Sequence, residues 1–201
     1  MRPIERGDVL GLADYETIRD RFRTRVIEEK KRRRIVLGPH ASCLFENRDT
    51  VLLQIQEMLR TERITREAAI LHEMETYNQL LPTAHELSAT ILLEIDDKET
   101  RERFLFEAKG LDRAFRLEVD GVACAGKQDA AREHPDRTTA VHYVKFDLAP
   151  AAETALRDLL AKKRAASSVK MDLVADHPRY AYRVTIAPWL VASLAEDLAE
   201  P

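Results

Sequence analysis

The sequence predicts an α+β fold in which an N-terminal helical layer packs on a largely antiparallel sheet. Two observations predict it. Up to Leu81 the apolar residues recur at steps of three and four, the repeat of amphipathic helices. From Leu87 they alternate within short runs divided by turn residues, the repeat of strands. No flexible linker separates the helical region 1–85 from the α+β sheet region 86–201, so together they read as one compact domain.

Residues 14–33 place Tyr15, Ile18, Phe22 and Val26 on one helical stripe, with Asp14 as the expected N-cap. "RRIVLGP" reads as a strand ended by Gly38-Pro39, and "CLF" as its antiparallel partner. Asn47 or Asp49 caps a second helix running to about Arg63. Thr65 caps a third, which Pro82 stops. "LSATILLEI" is a strand, "DKETRERFLFEAKG" a helix with a glycine stop, and "AFRLEVDGVACAG" a hairpin turning at Asp120-Gly121. "KQDAAREHPDRT" is a charged loop. Strand "TAVHYVKFDL" and helix "APAAETALRDLLAKKR" follow, then two strands pairing across His177-Pro178-Arg179 and a closing helix, "APWLVASLAEDLA". The order β-α-β-β thus occurs twice, from 87 and from 139, the pattern of an internal duplication.

Composition sets limits on function. The charged share of 33% and hydrophobic share of 45% are those of a soluble globular protein. No apolar run is long enough for a membrane span, and "MRPIERGDVLGLADYE" lacks a signal peptide's apolar core, so a cytoplasmic protein is expected. Cys43 and Cys124 fit neither a zinc spacing nor a disulfide framework and read as reduced thiols, Cys43 as a buried small hydrophobe. Residues 19–34 carry nine Arg and Lys against three acids, yet the net charge is −3. Arg21, Arg23, Arg32 and Arg34 flank the apolar stripe, and no aromatic stacking platform accompanies them. Nucleic-acid binding through Arg32, Arg33 and Arg34 is therefore the weakest reading, behind a solvated face or a dock for an acidic protein.

In the second helix Val51, Ile55, Met58 and Leu59 form the core stripe. Leu53 falls among Gln56, Glu57 and Arg60, so the polar side is expected to be partly covered too. Glu62 projects with Ile55 and Met58 and is expected to be partly buried and paired. On the third helix His72 and Glu75, at i and i+3, could share a divalent metal with Glu57 and Glu62. This His-x-x-Glu reverses the di-iron order, and a His-Glu-x-x-His motif is absent; a surface helix has the same composition. With six glycines there is no phosphate-cradling loop, and no serine sits in a nucleophile elbow. No resident cofactor is expected. His142, inside a strand, reads as a hydrogen-bonded sheet residue.

Several blocks occur together and in order: "LFENRDTVLLQIQEMLRTERI", "HEMETYNQLLP", "ELSATILLEI", "TTAVHYVKFDL" and "DHPRY". On these the chain resembles, over nearly its whole length, a family of uncharacterised bacterial proteins known only as a domain of unknown function. It departs from that family in "KQDAAREH", where relatives are more acidic. The resemblance implies a gene neighbourhood of rubrerythrin-like and iron–sulfur proteins, hence peroxide defence or redox metabolism, and no established reaction. It marks Glu46, Arg48, Gln56, Glu57, Arg60, Tyr77 and Asn78 as candidate binding residues. The expected function is a non-catalytic accessory or interaction protein with a protein partner from that redox module. The competing class is a metal-binding protein using Glu57, Glu62, His72 and Glu75.

Overall fold

The structure is a computed structural model describing residues 1–128 and 134–199. Most of "KQDAAREH", the loop expected to differ from its relatives, lies outside the described residues. The chain runs α1 (Leu12–Arg33), β1 (Arg34–Leu37), β2 (Ala41–Phe45), α2 (Arg48–Thr61), α3 (Glu67–Asn78), β3 (Glu86–Leu93), α4 (Lys98–Glu107), β4 (Phe115–Val119), β5 (Val122–Lys127), β6 (Val141–Asp147), α5 (Pro150–Leu160), β7 (Met171–His177), β8 (Tyr180–Thr185) and α6 (Pro188–Asp197). A short 3₁₀ turn, Arg6–Asp8, precedes α1.

All eight strands form one antiparallel sheet in the order β1-β2-β3-β6-β5-β4-β7-β8. The sheet curls until its two end strands meet. There the Tyr180 hydroxyl donates to the Leu37 carbonyl at 2.5 Å and accepts from the His40 N–H at 3.1 Å. Gly38, at φ +74°, lies flat on the Tyr182 ring; a Cβ there would come within 2.6 Å of it. Only glycine supplies both the backbone angle and the space.

Alternation sorts the side chains into two cores. Inward residues of every strand, among them Phe45, Ile91, Leu117, Phe146 and Leu173, meet Leu105 of α4, Leu156 of α5 and Leu194 of α6, so side chains fill the curl. The outer face of β2, β3 and β6 is covered by the N-terminal helices. Ile4, Val9, Val51, Ile55, Leu59, Ile70 and Met74 form a second core there, with Tyr143 packed against it. Strand β2 is consequently buried on both faces.

Local signals explain most element ends. The Asn47 side chain accepts from the Thr50 N–H while the Thr50 hydroxyl accepts from the Asn47 N–H, a reciprocal cap for α2. Asp97 caps α4 in the same way as an acceptor. Asp120 and Gly121 both have positive φ, as a two-residue hairpin requires. Two expected caps are corrected. Asp14 lies inside α1, whose N-cap is Gly11, and Arg66, not Thr65, precedes α3; neither N-cap makes a side-chain cap bond. The repeated β-α-β-β order is present, and β3–β6 and β4–β7 pair corresponding strands. The pairing of β5 with β6 has no equivalent between β8 and β3, where β1 and β2 stand, so a duplication is not shown.

The basic run resolves into separate roles. Arg34 pairs with Glu94 at 3.3 Å and Arg32 is exposed. Arg33, 1% exposed, donates to the Phe45 carbonyl (2.9 Å), the Glu46 carbonyl (3.3 Å) and the Ser193 hydroxyl (3.0 Å), and pairs with Asp197. Placing Arg33 with nucleic-acid contacts is therefore corrected: it is an internal tie between α1, β2 and α6. Asp197→Ala would leave a buried guanidinium short of its counter-charge. The expected loss is about 3–5 kcal/mol in urea unfolding, and an unchanged midpoint would contradict the tie.

His142 lies in β6 as the hydrogen-bonded sheet residue expected, and it is buried. The Gln128 amide donates to its Nδ1 (3.1 Å), which leaves Nε2–H facing the Thr138 hydroxyl (3.4 Å), and the ring stands edge-on to Phe115. Burial holds its pKa down to about 4, against 6.5 for the free side chain. The unfolded chain therefore takes up a proton between these values and the folded chain does not. Stability should be intact above pH 6.5 and decline as pH falls from 6.5 to 4, by roughly 3 kcal/mol in total. His142→Gln should lack this limb of the pH–stability curve.

Candidate functional site

The residues marked in the sequence fall on three neighbouring places: Glu57 and Arg60 face α1, Arg48, Gln56 and Asn78 face residues 3–10, and Glu46 faces Thr50 and Thr90. Leu53, 5% exposed, and Gln56, 2% exposed, confirm that the polar side of α2 is covered. Its cover is α1 together with residues 3–10.

Glu57 accepts from the Tyr15 hydroxyl at 2.7 Å and, through both oxygens, from Arg19 at 2.8 Å. The Arg19 contact, reinforced by Tyr15, holds the Glu57 carboxyl below the usual carboxylate range. Burial, with the Glu57 bond, pushes the Tyr15 phenol up. One helical turn away Arg60 donates to Glu16 at 2.6 Å. These contacts fasten α1 across α2.

Residues 3–10 are held differently. The Asn78 side chain accepts from the Ile4 N–H and donates to the Ile4 carbonyl, both at 2.9 Å. Gln56 does the same for Leu10, at 2.7 and 3.3 Å. Each primary amide thus presents one residue with the acceptor and donor that a neighbouring strand would offer. Between these grips Ile4 and Val9 are buried in the second core, worth about 1.5–3 kcal/mol apiece by apolar area. Arg6 pairs with Glu67 (2.8 Å) and Asp8 with Arg48 (2.5 Å). Arg48 Nε is buried without a partner. Tyr77 packs against the edge of this core.

Glu46 lies below, 7% exposed, accepting from the hydroxyls of Thr90 (2.5 Å) and Thr50. Burial lowers the nearby Lys30 amine's pKa, while Glu46 pulls it the other way. Beside Arg33 a polar cleft of about 360 Å³ opens between α1, α2 and α6, lined by Glu29, Asn47, Asp49 and Glu196 among others.

The metal set does not assemble. Glu57 is engaged by Tyr15 and Arg19, while Glu62, His72 and Glu75 are exposed. Among the described residues no three His, Cys, Asp or Glu side chains stand close enough to hold a metal ion together. Glu62 is corrected too: it is the exposed C-cap of α2, because the helix ends at Thr61 before its side chain can turn inward. Both cysteines are buried free thiols, and burial pushes each upward in pKa, away from nucleophilic thiolate. Among the described residues no helix is long and apolar enough to cross a membrane.

Sequence reasoning missed the segment 3–10 and the Arg33–Asp197 pair. The available signal for the segment was three apolar residues, Ile4, Val9 and Leu10, around the polar turn Glu5–Asp8. Gln56→Ala and Asn78→Ala each remove two hydrogen bonds to backbone. Each should cost about 1–3 kcal/mol in denaturant unfolding, with faster amide exchange at Leu10 and Ile4 respectively. Wild-type stability in both variants would show the grips to be incidental.

A solved protein of unknown function from Burkholderia pseudomallei K96243 has the same fold. Its crystal structure superposes with a TM-score of 0.87 at 31% identity, covering 98% of this chain and 99% of that one. Comparison with curated proteins found no match. The matched family model spans residues 3–198, so the chain belongs to the family described as "Protein of unknown function (DUF3501)".

Proposed function

We propose that the chain is a non-catalytic accessory protein of the cytoplasm, working as a single unit that binds protein components of a redox or peroxide-defence module. Rubrerythrin-like and iron–sulfur proteins are the partners that the family's gene neighbourhood implies. One observation carries the binding role: Glu46, Arg48, Gln56, Glu57, Arg60 and Asn78 are engaged within the chain, whereas three cations of α1 are not. Arg21, Arg23 and Arg32 are exposed and have no ion-pair partner among the described residues, and Ile18 on the same helix is 44% exposed. Guanidiniums beside an exposed aliphatic side chain suit an acidic protein surface, since unpaired cations steer such a partner without first breaking internal pairs.

Mixing the purified chain with purified rubrerythrin-like and iron–sulfur proteins from the same genome tests this by sedimentation or calorimetry. A complex with Kd of order 1–100 μM, weakened by salt, is expected. Arg21→Glu with Arg32→Glu should weaken it at least about tenfold, chiefly through slower association. No complex with either protein at about 100 μM would remove the redox assignment. Salt-dependent DNA or RNA retention lost in the same variant would transfer the cations to nucleic acid.

A further inference from the structure

Deepening the reading of the chain as a binding protein, on which it rests, we propose that the α2–α3 groove is a peptide-docking site. It takes a segment from a partner protein that makes one tight turn between two apolar residues at i and i+5, with a carboxylate just before the second, by displacing residues 3–10 of its own chain. Those residues display the recognition chemistry. Gln56 and Asn78 each read one residue's N–H and C=O, which every peptide carries, so the two amides hold the backbone on either side of its turn without regard to its side chains. Selection comes from the sockets that hold Ile4 and Val9, from Arg48 opposite Asp8 and from Glu67 opposite Arg6.

The segment is also built to leave. No strand ladder or long helix holds it; its one regular element is the three-residue turn Arg6–Asp8. Gly7 and Gly11 have open space around them, and Gly11 begins α1 without a side-chain cap. Lifting residues 3–10 therefore breaks the side-chain contacts described and leaves the sheet intact.

A tethered segment competes at an effective concentration of about millimolar. A second copy of the chain would offer the same segment with no added contact, and so loses to the tether. A partner wins by using surface that the segment leaves open. Such surface runs along the same helix: Leu71, Glu75 and Gln79 line an open cleft of about 560 Å³ with Met74 and Asn78, and Leu71 is 47% exposed. A longer partner segment gains an apolar contact at Leu71 and a carboxylate at Glu75 that residues 3–10 do not use.

The test uses full-length Ile4→Ser/Val9→Ser protein, which empties both sockets without altering α2 or α3. The probe is the fluorescein-labelled peptide RPIERGDVLG, residues 2–11. Anisotropy should show binding at least about tenfold tighter than to wild type, whose groove is filled. Adding Gln56→Ala or Asn78→Ala should reverse the gain, and a peptide with serine at both apolar positions should not bind. Absence of binding at millimolar peptide, in variant protein that keeps its circular dichroism and melting transition, would overturn the proposal. Hydrogen exchange of wild type covers the case in which the variant does not fold. The Ile4 and Leu10 amides should exchange at least about 100-fold faster than the β3–β6 ladder, by local opening; equal protection would overturn the proposal. Wild-type dimers exchanging residues 3–10 at micromolar concentration would give the groove to a second copy and likewise overturn it. The peptide assay contains no redox protein, so its failure and the failure of the redox partnership are read separately.

Discussion

The Arg33 guanidinium is the point through which the two halves of the architecture are joined. It leaves the last residue of α1, crosses the end of β2 at the Phe45 and Glu46 carbonyls, and ends on Ser193 and Asp197 of α6. The outer helical layer and the helices α4, α5 and α6 contribute to separate apolar cores, and β2 is buried on both faces. Apolar contact is non-directional and would let one layer slide over the other. A planar guanidinium has donors in fixed directions, so its carbonyl, hydroxyl and carboxylate partners together allow a single arrangement. Its desolvation is costly, and the pair with Asp197 offsets that cost without adding much net stability. What it contributes is definition of how the layers sit.

That definition carries to the α2–α3 groove. Glu46 follows β2 directly; its carboxylate is held by Thr90 of β3 and Thr50 of α2, and Asn47 caps α2 one residue later. The strand, its anchor on Arg33, and the helix start therefore lie within three consecutive residues, Phe45 to Asn47. Once α2 is fixed, Gln56 and Glu57 point into the cover formed by Leu10, Tyr15 and Arg19. The polar face of α2 is thus a consequence of the tie at its beginning.

The sequence made the sheet legible because its signals are local. Asp120-Gly121 specifies a two-residue turn by sterics alone, and the alternation through "LSATILLEI" specifies which residues face inward. Leu53 among polar residues correctly reported a covered face. The misses have separate causes. Arg33 looks like any member of a basic run until α6, 160 residues on, brings Ser193 beside it. Thr65 and Asp14 had the right chemistry for caps, but the N-caps are Arg66 and Gly11, neither with a side-chain cap bond. Glu62 failed on a one-residue boundary, where helix periodicity no longer governs direction.

The candidate site was legible in composition and not in role, for a reason that bears on its function. Gln56, Glu57, Arg60 and Asn78 stood out because they are polar, geometrically specific groups on helices with opposing apolar stripes. Such groups need a hydrogen-bonding partner when covered. The sequence shows that a partner is needed without saying whether it comes from the same chain or another. Here the same chain supplies it, and by two kinds of contact. Glu57 and Arg60 fasten α1, a helix of 22 residues with its own burial, through charges specific to Tyr15, Arg19 and Glu16. Gln56 and Asn78 fasten eight residues or fewer through backbone groups common to all peptides. The first kind discriminates between sequences and is reinforced along a long helix. The second discriminates only through the sockets beside it. Exchange of residues 3–10 for another segment is thus physically simpler than exchange of α1 would be, because fewer sequence-specific contacts would have to be replaced.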